Sequence, residues 1–152
     1  MAIRVRDRRS RITVVERQYV ETTGAGVYTA TVAVPARATI LDIIVNGVAL
    51  WAAATSATMK VGDVADDDGY FTAVNLKAID LLAGESLSLE SAGGKAGAYV
   101  ANAQVSPRYS AAARVISGVV TTVGASGTAG RTRLMVVYAV PAAADVAAAT
   151  KV

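Results

Sequence analysis

The sequence predicts an all-β protein, a sandwich or barrel of about eight to nine strands with an extended N-terminal arm. Three observations lead there. Nearly every periodic segment alternates with a period of two, the spacing of a strand with unlike faces. The segments recur at roughly ten-residue intervals with Gly-rich breaks between them, the spacing of a sandwich or barrel rather than of βαβ units. No stretch carries a helical pattern of three turns.

The elements follow in order. Arg11–Val20 is rich in β-branched residues, and Thr22–Gly26 breaks it. Val27–Val34 is the next strand, stopped by Pro35, which cannot donate to a ladder. Ala38–Val45 is a nearly continuous apolar run, as expected of a strand covered on both faces. Asn46-Gly47 predicts a two-residue hairpin, with Val48–Trp51 as the return strand. Ala57–Gly62 alternates, Asp63–Gly69 is a polar turn, and Tyr70–Leu76 alternates again. Lys77–Leu82 predicts one helical turn, broken at Ala83-Gly84. Ser86–Glu90 alternates cleanly, Ser91–Gly97 is a Gly-rich turn, and Ala98–Val105 predicts a strand. Arg114–Val123 and Arg131–Val140 are long strands joined by Gly124–Gly130, and Pro141 stops the second. Residues 1–17 form a basic arm, 18–141 the sandwich domain, and 142–152 an Ala-rich tail. Alone, that tail would be frayed or weakly helical, able to order against a neighbour. No internal repeat or linker divides the chain.

Charge is concentrated at one end. Arg4, Arg6, Arg8, Arg9, Arg11 and Arg17 face only Asp7 and Glu16, so the arm carries +4. The remaining nine basic and ten acidic residues leave the body at −1. Such an arm is usually held by something acidic outside its own domain. Ile3, Val5, Ile12, Val14 and Val15 interleave with the arginines. That alternation reads as a strand docking on a protein, with charge at its edge and apolar contacts on its face, in preference to nucleic acid. The N-terminus has no apolar h-region and does not read as a signal peptide. No apolar run approaches the length of a membrane helix. Hydrophobic residues are 53%, mostly small, and aromatics only 5%, so oligomeric contacts would add stability to a core of small side chains.

Histidine and cysteine are both absent. Disulfides, thiolate and imidazole metal sites, and Ser-His or Cys-His nucleophile pairs are therefore excluded. Asp63, Asp66, Asp67 and Asp68 before Gly69 resemble a calcium loop. The first and twelfth EF-hand positions, however, fall on Val64 and Asn75, and the flanks are strands. A solvated turn is the favoured reading. Gly94-Lys95 is followed by Ala96, so it is no P-loop. Gly124, Gly127 and Gly130 lie between strands without a helix N-terminus and read as a long hairpin loop. Glu85 with Glu90, or Asp80 with Glu85, could be glycosidase carboxylates only at the right separation, and ordinary strand chemistry is favoured. Trp51 at a strand end reads as core or interface rather than as a sugar platform.

Three segments carry a family resemblance: VYTATVAVPARATILDIIVN (27–46), ATMKVGDVADDDGYFTAVNL (57–76) and LAGESLSL (82–89). A strand ending in a Pro-Ala-x-Ala bend, an apolar strand, a hydrophobic-Gly-Asp strand end, an Asp-rich turn and an aromatic-Thr-Ala strand are similar to capsid cement (decoration) proteins of tailed bacteriophages, such as that of the podovirus infecting Bordetella. The resemblance implies a jelly-roll β-sandwich, a homodimer or homotrimer, and a non-enzymatic role on the outer capsid surface. There the protein would bridge major capsid protein subunits, with no cofactor, no metal, no nucleic acid and no membrane. The alternative is a glycan- or host-binding module of a tail or fibre, which predicts an exposed aromatic cluster including Trp51 and Tyr70 beside the Asp63–Asp68 turn.

Overall fold

The computed structural model describes residues 10–24, 26–101 and 108–141. Among the described residues eight strands form two four-stranded sheets: β1 (Arg11–Val20), β2 (Val27–Val34), β3 (Thr39–Ala49), β4 (Ser56–Gly62), β5 (Phe71–Asn75), β6 (Ser86–Leu87), β7 (Arg114–Val123) and β8 (Arg131–Val140). The orders are β1-β8-β3-β6 and β2-β7-β4-β5. Four of the ladders therefore join first to last, second to seventh, third to sixth and fourth to fifth, all antiparallel. The chain is thus a nested ribbon rolled into two sheets, the eight-strand jelly roll. A four-residue helical turn, α1 (Ala98–Ala101), follows a short 3-10 turn at Gly93–Lys95.

The strand boundaries of β2, β7 and β8 coincide with the sequence expectation, and β4 and β5 lie within a residue of it. Four expectations are corrected. The chain does not turn at Asn46-Gly47: β3 runs through both residues to Ala49, with a bulge between Gly47 and Ala49. A Cβ on Gly47 would sit 2.7 Å from the Leu82 carbonyl oxygen, so this glycine admits a crossing backbone instead of making a turn. Lys77–Leu82 forms turns rather than a helix. Ala98–Val105 is not a strand where it is described; Ala98–Ala101 is the helical turn α1, its amides bonded to Gly97 and Gly69 carbonyls. Lastly, the Gly124–Gly130 loop is not a hairpin, because β7 and β8 belong to different sheets.

The core lies between the sheets. Alternating residues Val32, Ile40, Ile43, Val45, Met59, Val61, Ile116, Val120, Leu134 and Val136 are fully buried there. β3 was expected to be covered on both faces, but Ile44 and Asn46 on its outer face are only half-buried. Tyr19 ties the sheets together: from β1 its hydroxyl donates to the Gly118 carbonyl of β7 at 2.8 Å. Gly118 has no side chain because Tyr19 and Leu134 occupy that space; an added Cβ would lie 2.7 Å from Leu134 Cδ2.

Candidate partner-binding surface

Period two on β1 sorts its residues sharply. Val15 and Tyr19 face the core. Ile12 and Val14 therefore face outward, and they are 63% and 58% exposed. β8 continues the apolar surface: Ala139 pairs with Ile12 and Val137 with Val14. On the far side of β8, β3 places Ile44 opposite Met135. Glu16 and Arg133, 3.6 Å apart, rim this surface with an exposed ion pair, and Arg131 lies beyond it. A three-strand apolar strip with a charged rim has the composition of a protein-contact surface. β1 is also the outermost strand of its sheet, so its outer ladder groups face away from β8.

The six arginines divide. Arg4, Arg6, Arg8 and Arg9 lie outside the described residues. Arg11 and Arg17 belong to β1, paired with Val140 and Leu134. The segment 11–17, grouped with the arm from charge alone, is thus the first part of a sheet strand. Arg17 is used within the chain: its Nε donates to the Thr31 carbonyl of β2 at 2.9 Å and its Nη1 to the Glu16 carbonyl at 3.1 Å. It bridges the two edge strands on the open side of the sandwich.

At the end of the sandwich where β1 begins, the structure draws the predicted acidic turn together. The carboxylates of Asp66, Asp67 and Asp68 lie within 4.8 Å of one another. Asp63 Oδ1 accepts from Ala65 N–H at 2.9 Å, Asp66 N–H at 3.1 Å and the Tyr99 hydroxyl at 3.0 Å. Asp67 pairs with Lys60. A hydrogen bond that its protonated form donates to Asp66, burial and the charges of Asp66 and Asp67 raise the Asp68 carboxyl above its ordinary range, against the opposing pull of Lys60. Burial, with the Asp63 hydrogen bond and charge behind it, pushes Tyr99 up to about 12. The Ala65 and Asp66 amides bond to the Asp63 side chain and the Asp63 and Gly69 amides to the Asp66 carbonyl, the arrangement expected of an Asp-capped loop.

The other end holds a residue that sequence reading missed. Glu21, the first residue after β1, is 1% exposed. Its Oε2 accepts from Ala52 N–H at 2.9 Å and Gly130 N–H at 3.0 Å, and its Oε1 from Gly127 N–H at 3.2 Å. Burial pushes its pKa up, but the backbone N–H groups outweigh that and leave it lowered. This carboxylate fastens the β3–β4 and β7–β8 loops to the end of β1. Its only sequence signal was a lone acid ahead of the Thr-Thr-Gly break.

The remaining candidates have structural roles. Trp51 is buried, donates from Nε1 to Thr132 Oγ1 at 2.9 Å, and meets the Tyr28 ring edge-on at 5.0 Å. Tyr70 is buried at the opposite end, its ring 5.2 Å from that of Tyr99. The expected exposed cluster of Trp51 and Tyr70 is therefore absent. Asp80 accepts from Asn75 N–H at 2.6 Å and pairs with Lys95 at 3.0 Å. Glu85 accepts from Leu82 N–H at 2.9 Å, and Glu90 pairs with Arg108 at 2.9 Å. Among the described residues, no helix is long and apolar enough to cross a membrane.

No protein-family model and no curated protein matches the sequence. Solved structures do match. One is described as the cyanophage Pam1 capsid asymmetric unit, with TM-score 0.56, 18% identity and 93% of each chain covered. Another is the acidic stable capsid structure of Helicobacter pylori bacteriophage KHP30, with TM-score 0.56, 16% identity, and 90% of this chain and 95% of that one covered. At these identities the likeness is one of fold, and it spans nearly the whole of each chain.

Proposed function

We propose that this protein is a non-enzymatic virion component that binds the outside of an assembled phage capsid and cements it by bridging major capsid protein subunits. The observation that carries the reading is the apolar strip of Ile12, Val14 and Val137 on an outermost strand, continuous in sequence with a basic arm. A fold shared with chains of two phage capsid structures supports it. The likeness to the cement protein of the Bordetella podovirus enters on the sequence motifs alone.

The mechanism is mass action. A ligand that binds the assembled shell and not its separated subunits shifts the equilibrium toward the shell. Many copies act at once, so modest affinity per copy suffices. The strip supplies apolar area to a capsid subunit or to a second copy in a homodimer or homotrimer, and the arginines supply charge to an acidic surface. Such a role needs no cofactor, metal, nucleic acid or membrane. The glycan-binding alternative loses its aromatic platform, since Trp51 and Tyr70 are buried.

Removing residues 1–17 would take away most of β1, so the test reverses charge instead. Arg4, Arg6, Arg8 and Arg9 are changed to Glu in the full chain, and shell occupancy is measured by co-sedimentation. A fall of tenfold or more is expected, with unchanged thermal unfolding. Undiminished occupancy would remove the arm from the proposal.

A further inference from the structure

Two open sheets have four edges, and three of them are blunted among the described residues. Beside the two-residue β6, the outer side of β3 is covered by chain. Ile40 N–H donates to the Arg108 carbonyl at 2.8 Å, Arg108 Nη1 to the Leu41 carbonyl at 3.2 Å, and Leu89 N–H to Asp42 Oδ1 at 3.0 Å. β5 is five residues long, is bridged to Ala96 at Phe71, and has Lys95 Nζ on its Ala73 carbonyl at 3.3 Å. β2 is crossed near its middle, where Arg17 Nε takes the Thr31 carbonyl. The fourth edge is β1, ten residues long. Arg17 Nη1 takes its Glu16 carbonyl. Before that point, Arg11–Val15 are bonded along β8 and, among the described residues, to nothing on the other side. A row of open N–H and C=O groups with Ile12 and Val14 exposed beside it is a template for another extended strand.

We infer that this edge pairs with the same edge of a second copy, antiparallel, about a two-fold axis at Thr13. The sequence of the strand commits both the occupant and the register. The open stretch Arg11–Val15 has Thr13 at its centre, so a two-fold axis there uses the whole of it. Directly opposed residues on an antiparallel pair share a face. In this register Ile12 meets the partner's Val14 and Val14 the partner's Ile12, Thr13 meets its own copy, and the Arg11 stem lies along the partner's Val15. Other registers fit worse. An axis at Val14 sets Arg11 against the partner's Arg17, and one at Glu16 sets two glutamates together, both repulsive. An axis at Val15 puts Val14 against the partner's Glu16 and Ile12 against the partner's Gln18, and one at Ile12 leaves Val14 opposite Ser10. The strand is thus complementary to itself at one position. Ile12 and Val14 stay on the outer face of the joined sheet, so the apolar strips of the two copies run together across the axis.

The pairing goes beyond the shell-binding reading and stands without it; only the docking of the joined strips rests on that reading. It is therefore tested on purified full-length chain without shells. A five-residue ladder is a small contact, so association should be reversible and visible in a concentration series by sedimentation equilibrium. The mass should rise from one chain toward two and no further. Thr13→Lys sets like charges against each other at the axis and should weaken association about tenfold or more. The chain has no cysteine, so one introduced thiol reports the axis. Thr13 and its copy would lie about 5 Å apart, within disulfide reach. Gln18, exposed on the same strand, would lie about 34 Å from its copy. Thr13→Cys should therefore form the interchain disulfide at least about tenfold faster than Gln18→Cys, a readout that stands even if Thr13→Lys does not fold. Equal rates for the two thiols would overturn the inference. So would a chain that stays single at every concentration, a mass of three chains, or a folded Thr13→Lys variant that associates like wild type.

Discussion

Replacing Glu21 with glutamine should cost this fold about 3 kcal/mol at pH 7. The carboxylate accepts three backbone N–H groups from two loops in a site closed to solvent. Hydrogen bonds to a charged acceptor contribute about 1.5–3 kcal/mol each. Glutamine keeps one oxygen but turns an NH₂ toward an N–H, so at least one bond is lost and the others lose their charge assistance. For a domain of this size, about 3 kcal/mol corresponds to a fall in Tm of about 6–12 °C. Trp51 is the only tryptophan and packs beside Gly130, so its fluorescence in a urea titration reads the site directly. The pH dependence has a definite sign. The folded carboxyl titrates below its ordinary value of 4.5, so its stabilising effect is present above that pH and is lost as pH falls through the folded value. The gap between wild type and Glu21→Gln should therefore narrow in acid, where the protonated wild type is also neutral at this position. A variant within about 0.5 kcal/mol of wild type at pH 7, the range of ordinary surface changes, would refute the clasp. A gap that stays constant down to pH 3 would refute the charge assignment.

Other positions give independent readings. Gly118→Ala forces a methyl against Tyr19 and Leu134 and should cost about 1–3 kcal/mol in urea unfolding; no loss would mean that the sheets part easily there. Tyr19→Phe leaves the Gly118 carbonyl without its buried donor and should cost about 1–3 kcal/mol. Asp68→Asn removes a carboxyl whose ionisation is disfavoured in the fold. Its raised pKa means the folded state is penalised as pH rises, so the variant should melt higher than wild type at pH 7 and match it below the ordinary value of 3.8. Ile12→Lys with Val14→Lys lies on an exposed face, so unfolding should shift by less than about 0.5 kcal/mol while shell binding falls sharply.

Much of this architecture was legible in the sequence because strands are local objects. Pro35 and Pro141 mark strand ends, and two-residue alternation delivered β2, β7 and β8 with their observed limits. What alternation cannot carry is pairing. The ladders joining β1 to β8 and β2 to β7 link residues about a hundred positions apart, and nothing local encodes them. The misread glycine at 47 shows the same limit: its neighbour is the Leu82 backbone, distant in sequence, so a turn-like dipeptide was in fact a close approach. Ala98–Ala101 misled for a different reason, since small apolar residues suit a strand or a helical turn, and the Gly97 and Gly69 carbonyls decided it. At the candidate surface the alternation of Arg, Ile and Val was visible, but which face it exposed was not. Tyr19 reaching Gly118 and Val15 packing on the core fix Ile12 and Val14 outward. Glu21 was illegible for a related reason, because the groups it serves come from loops about 30 and more than 100 residues away.

The proposed cement role is tested most directly on phage shells assembled from a major capsid protein without this chain. Purified protein is added, and both co-sedimentation and the shell's disruption temperature are recorded, with the Ile12→Lys, Val14→Lys variant alongside. The account predicts saturable binding to assembled shells but not to free subunits, a higher disruption temperature at saturation, and loss of both effects in the variant. Equal binding to free subunits, or saturation that leaves the disruption temperature unchanged, would contradict it.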